Sequence, residues 1–125
     1  MIAHQKKIII IDDDDRNIFA LNAVLKARGY QCVGASSGQE GLELLRTQPK
    51  QIGIVLVDIM MPEMDGYQII SKIRKEPDLE KIPLVAVTAQ AMVGDRERCL
   101  QSGADNYISK PINVDKLIKI IEEHI

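Results

Sequence analysis

The stretch "KKIIIIDDDDRN", residues 6–17, decides how the fold is read. Four isoleucines, Ile8–Ile11, run directly into four aspartates, Asp12–Asp15. The isoleucines are β-branched and end too soon for a helix, so they predict a strand. A strand that is apolar at every position has no solvent face. It belongs in a parallel sheet covered by helices on both sides. The aspartates pose the opposite problem, because two carboxylates about 4 Å apart repel by about 4 kcal/mol at an effective dielectric of about 20. Something must offset that charge.

Outward from this stretch the same kind of strand recurs. Short β-branched runs lie at Gln31–Ala35, Ile52–Val57, Leu84–Val87 and Asn106–Ser109. Helical spacing fills the gaps: Ile18, Leu21 and Leu25; Leu42 and Leu45; Ile70 and Ile73; Leu117, Ile121 and Ile125. Met92–Gln101 is a weaker fourth helix, ended by Gly103. Ser37 with Glu40 has capping-box spacing, and Asp65 (with Gln68) and Asn113 are placed to cap the third and fifth helices. Strand and helix alternate five times without a repeat or linker, which predicts a doubly wound α/β sandwich spanning residues 1–125 as a single domain.

Composition agrees and removes several functions. With 125 residues, 46% hydrophobic and 27% charged, the chain can bury a core and is not disordered in character. A net charge of −2 gives no basic footprint for nucleic acid. No apolar run approaches the roughly 20 residues of a membrane helix, and no signal peptide is visible, so a cytoplasmic protein is expected. Cys32 and Cys99 read as reduced thiols filling strand and helix positions. His4 and His124, near the termini, read as solvated.

In an open parallel sheet, ligands bind beyond the carboxyl ends of the strands. Those ends carry Asp12 and Asp13 after the first strand, Asp58 after the third, Thr88 after the fourth and Lys110 after the fifth. Asp14 and Asp15 fall where the chain turns into a helix, so capping and the helix dipole account for them. Asp12, Asp13 and Asp58 remain as an oxygen-only donor set, which suits Mg²⁺. Neither "GxxxxGK[ST]" nor "GxGxxG" is present to hold a nucleotide. The set fits a single phosphoryl group instead: a metal and Lys110 neutralise its oxygens and Thr88 hydrogen-bonds one of them. A carboxylate can itself be the nucleophile in phosphoryl transfer, and Asp58 is the central one.

The segments "IIIIDDDDRN", "VLVDIMMPEMDGY", "VAVTAQA" and "YISKPI" together closely resemble the receiver domains of two-component response regulators, the chemotaxis-regulator type of flavodoxin-like fold. The resemblance covers almost the whole chain. It implies a (βα)5 sandwich with strand order 2-1-3-4-5. It implies that Asp58 takes a phosphoryl group from the phosphohistidine of a histidine kinase or histidine phosphotransfer protein. Asp13 and Asp58 would bind Mg²⁺ (or Mn²⁺ as a substitute) directly, Asp12 through water, and Met60 through its backbone carbonyl. Thr88 and Lys110 would contact the phosphoryl group, and Tyr107 would be the switch aromatic. A face made by the fourth helix, fifth strand and fifth helix would carry the signal to a protein target or, as a phosphorylation-linked homodimer, to a second copy. Such a domain is not an enzyme with a turnover substrate; it catalyses only its own phosphorylation and slow dephosphorylation. A cis Lys110–Pro111 bond is also implied.

Other classes fit less well. A haloacid-dehalogenase-type phosphatase shares the aspartate nucleophile and Mg²⁺ but needs a second acid two residues on, where this chain has Met60. A flavodoxin-like electron carrier would have a hydroxyl-rich loop in place of the four aspartates. A pure interaction domain would not be expected to keep Asp13, Asp58, Thr88 and Lys110 together. Tyr107 also suits a sheet edge, and Pro62 and Gly66 suit an ordinary turn. Ala89 is small enough to leave a phosphoryl group room to enter, and Met60 and Gln90 flank the site where they would influence phosphoryl lifetime.

Overall fold

A computed structural model describes residues 6–61, 65–88 and 94–124. Strands β1 (Lys7–Ile11), β2 (Gln31–Ala35), β3 (Ile52–Asp58), β4 (Leu84–Thr88) and β5 (Asn106–Ser109) form one sheet in the order β2-β1-β3-β4-β5. Every neighbouring pair is parallel. Helices α1 (Asp15–Ala27), α2 (Gly38–Thr47), α3 (Gly66–Lys75), α4 (Asp95–Ser102) and α5 (Val114–His124) connect and follow them, with a short 3-10 turn at Pro49–Gln51. β1, β3 and β4 each extend one residue beyond the apolar run. At β3 and β4 the added residues are Asp58 and Thr88, so both side chains sit on the rigid sheet and not in the loops that follow.

The apolar run of β1 divides by alternation. Ile9 and Ile11 join Leu42, Leu45, Ile69, Ile70, Ile73 and Cys99 in the core beneath α2, α3 and α4. Ile8 and Ile10 join Leu25, Leu117, Ile120 and Ile121 beneath α1 and α5. A run apolar at every position thus fills two cores at once, as a strand buried on both faces must.

Most helix starts follow the expected chemistry. Asp14 caps α1, accepting from Arg16 N at 2.9 Å, and Asp15 places a charge in the first turn. Asp65 Oδ1 accepts from Gln68 N at 2.9 Å, and Asn113 Oδ1 from Lys116 N at 3.1 Å. The expected capping box is only half made. Ser37 Oγ accepts from Glu40 N at 3.1 Å, but the Glu40 carboxylate takes a hydrogen bond from Ser36 Oγ at 3.3 Å. A second hydroxyl next to the cap diverted it.

α4 is described from Asp95, so Met92 and Val93, the expected start of that helix, lie outside the described residues. It ends as expected at Gly103, whose φ of +119° is open to glycine at little strain. Gly66 is more than a turn residue. A Cβ there would lie 2.6 Å from Ile59 Cα and 2.7 Å from the Asp58 carbonyl oxygen, so only glycine lets α3 start against the end of β3. Cys32 lies in β2 and the buried Cys99 in α4, and neither is in a disulfide. His124 is in the last turn of α5, half-buried; His4 and Pro62 lie outside the described residues. No helix among the described residues is long and apolar enough to cross a membrane.

Candidate phosphoacceptor and metal site

The parallel register brings the strand ends to one rim. Ile11 pairs with Val57 and Asp58 with Val87, while Thr88 pairs with Ser109. Asp12, one residue past β1, is held by its own amide, which donates to the Ala35 carbonyl at 3.0 Å. Lys110 N donates to the Thr88 carbonyl at 2.7 Å, which fixes the residue after β5 against the end of β4. The Lys110–Pro111 peptide is cis, as the resemblance implies.

The acidic residues fall into distinct environments. Asp12 and Asp58 are each 4% exposed, and Asp13 is exposed. One carboxylate oxygen from each of Asp12, Asp13 and Asp58 lies within 4.8 Å of the others. Asp12 Oδ1 accepts from Asp14 N at 2.9 Å, and its Oδ2 lies 3.4 Å from the Asn17 amide nitrogen. Asp58 Oδ1 accepts from Met60 N at 3.0 Å. The Lys110 ammonium stands 3.6 Å from Asp12 Oδ2 and 3.6 Å from Asp58 Oδ2. Of the three clustered carboxylates, two lie within 4 Å of this cation.

This imbalance shows in the acidity of Asp58. Burial pushes its pKa from 3.8 up to about 6, and the neighbouring Asp12 charge adds to the rise. The Met60 amide and the Lys110 ammonium act against it without cancelling it. Oxygen donors carrying surplus negative charge at the mouth of a sheet suit a hard divalent cation, and Mg²⁺ fits the set.

Thr88 is 3% exposed, at the end of β4. Tyr107 is half-buried on the edge strand β5, opposite Ala86 and diagonal to Thr88, and packs against the core beneath α3 and α4. Met60 has its amide on Asp58 and its side chain 52% exposed, so a second acid is absent from the position a dehalogenase-type phosphatase requires. Ala89 and Gln90 lie outside the described residues. Sequence reading paired Lys110 with Asp58 but not with Asp12, which it reaches equally. It also passed over Asn17, whose place at i+5 from Asp12 was a readable sign.

The model of the response regulator receiver domain matches residues 8–122. The chain belongs to this family. It is 36% identical over 120 residues to the polar-differentiation response regulator DivK of Brucella ovis, covering 96% of each chain. The DivK of Brucella anthropi is 35% identical over the same length. Among solved structures, a CheY-like receiver domain from Methanospirillum hungatei superposes with a TM-score of 0.82 at 30% identity, over 94% of this chain and 91% of that one. The Vibrio cholerae chemotaxis protein CheY4 gives 0.87 at 21% identity, over 97% and 99%, a likeness of fold alone. This receiver domain is therefore a component of two-component signal transduction. Its strand order is the flavodoxin-like one that the resemblance implies.

Proposed function

We propose that Asp58 is the phosphoacceptor of this receiver domain and that residues 1–125 act as a single signalling unit. The observation that carries the reading is the placement of Asp58 at the end of β3, 4% exposed, with Lys110 Nζ at 3.6 Å and the oxygens of Asp12 and Asp13 close by. A carboxylate oxygen of Asp58 attacks the phosphorus of a phosphohistidine. The P–N bond breaks, its electron pair passes to the imidazole nitrogen, and an aspartyl-phosphate remains. Asp13, Asp58 and the Met60 carbonyl would hold Mg²⁺ or Mn²⁺ directly, and Asp12 through water. When bound, the metal neutralises charge on the transferred group. Lys110 and Thr88 take the phosphoryl oxygens. The donor is a histidine kinase or histidine phosphotransfer protein in the cytoplasm. The domain catalyses only its own phosphorylation and slow dephosphorylation.

The dianion on Asp58 draws the Thr88 hydroxyl towards it, which frees space that Tyr107, diagonal to it, can enter. The face of α4, β5 and α5 then shifts between two states and engages a protein target or a second copy of the chain. Intact mass after treatment with acetyl phosphate and Mg²⁺ tests the acceptor. One phosphoryl adduct is expected, lost in Asp58→Asn and in metal-free buffer; an adduct that survives Asp58→Asn overturns the assignment. Amide spectra with and without beryllofluoride test the switch, which fails if Tyr107 does not respond.

A further inference from the structure

A cleft of about 520 Å³ opens beside the rim, between α1 and the segment that follows β5. Most of its wall is apolar, from Leu21, Val24, Leu56, Val87, Ile112 and Val114. One part is different: Asp12, Asp58, Lys110 and Asn17 also line it. The volume falls in the range of about 300–1,000 Å³ of small-molecule sites, which are largely apolar with a few polar groups that fix orientation.

We infer that this cleft binds a small hydrophobic amine. Charge selects the head group. Two carboxylates and one ammonium line the cleft, so a cationic head brings the lining to neutrality and an anionic head meets repulsion. The carboxylates retain capacity for it: Lys110 stands 3.6 Å from both Asp12 Oδ2 and Asp58 Oδ2 and Asn17 Nδ2 3.4 Å from Asp12 Oδ2, contacts long enough to leave each oxygen able to accept a further donor. A primary ammonium can donate to both oxygens while its apolar body lies between α1 and Ile112. The alternation of β3 places Leu56 two residues before Asp58 on the same face, so body and head are served by one continuous wall. Such a ligand covers Asp58 and competes with the metal, and would thus inhibit phosphorylation. That consequence rests on the reading of Asp58 as acceptor, whereas binding itself does not.

The test is titration of the protein in metal-free buffer with three probes of one shape: 2-phenylethylamine, 2-phenylethanol and 3-phenylpropionate, followed by amide NMR. The amine is expected to bind at least about tenfold more tightly than the alcohol, since it adds a charge-assisted hydrogen bond, and the carboxylate more weakly still. Shifts should centre on Leu21, Val24 and Ile112. Ala20 lines the cleft yet is exposed on α1, so Ala20→Leu narrows the cleft without disturbing the core and should weaken the amine about tenfold, with a melting curve to show that the variant folds. Equal affinity for the three probes, shifts elsewhere, no binding of the amine, or an Ala20→Leu variant that folds and binds normally would each overturn the inference.

Discussion

Two charged clusters anchor opposite ends of the strands. At the rim, the Lys110 ammonium stands 3.6 Å from two carboxylates of a cluster of three. At the other end, the Arg74 guanidinium of α3 has partners on every side. Its Nε donates to the Gly103 carbonyl at 2.8 Å, and its Nη1 to those of Glu80 and Ile82 at 2.8 and 2.7 Å. Its Nη2 donates to Asp105 Oδ2 at 2.7 Å, and the same oxygen accepts from Leu84 N at 2.8 Å. Arg74 thereby ties the end of α3 to the start of β4 and the end of α4. Sequence reading missed this hub, because its acceptors are mostly backbone carbonyls that no residue type advertises. The contrast separates two uses of charge. A cation whose donors are matched at short distance holds structure together. At the rim, burial and carboxylates that outnumber the cation beside them raise the pKa of Asp58, and the carboxylates form an oxygen donor set.

The largest effect should come from breaking the matched cluster. Arg74→Met leaves three carbonyls without their side-chain donor and Asp105 with only the Leu84 amide, and should cost roughly 2 kcal/mol in urea unfolding. If it costs no more than a surface substitution, the contrast between the clusters collapses.

The rim should respond to pH in the sense opposite to an ordinary paired carboxylate. Asp58 has a higher pKa folded, about 6, than its ordinary value of 3.8. The folded state therefore holds this proton more tightly than the unfolded state. The stability this contributes is complete below about 3.8 and is lost as pH rises through about 6. The metal-free melting temperature should carry a falling component across that window, absent in Asp58→Asn. Saturating Mg²⁺ should raise the midpoint at pH 7, the expected outcome for a ligand held by the folded rim alone.

Removing the surplus charge sharpens the same point on a smaller scale. Asp58→Asn should raise metal-free stability at pH 7 by on the order of 1 kcal/mol, allowing for water at the rim. Chemical denaturation in a chelating buffer measures it, and a destabilised variant would mean that the rim carries no stored repulsion.

The smallest effect belongs to a surface pair. Arg46 Nε lies 2.6 Å from Glu76 Oε1, but the two side chains are 49% and 30% exposed. Arg46→Ala should cost at most about 1 kcal/mol, less in high salt. A loss as large as that of Arg74→Met would show that a short distance, and not the number of matched acceptors, sets the strength of these clusters.

By itself the sequence determined the alternation of strands and helices, the sheet buried on both faces, and the rim residues Asp12, Asp13, Asp58, Thr88 and Lys110. These were legible because periodicity and strand-end position are local properties of the chain. It also marked Asp14, Ser37, Asp65 and Asn113 as caps, since capping acts within one turn. Tertiary structure alone decided which side chains meet across it. It set Lys110 equally between Asp12 and Asp58, turned Glu40 to Ser36, pressed Gly66 against the end of β3, and closed the Arg74 hub. These contacts depend on distances between segments remote in sequence and often on backbone atoms, which are the same in every residue. Only the folded chain can say which of them lie within reach.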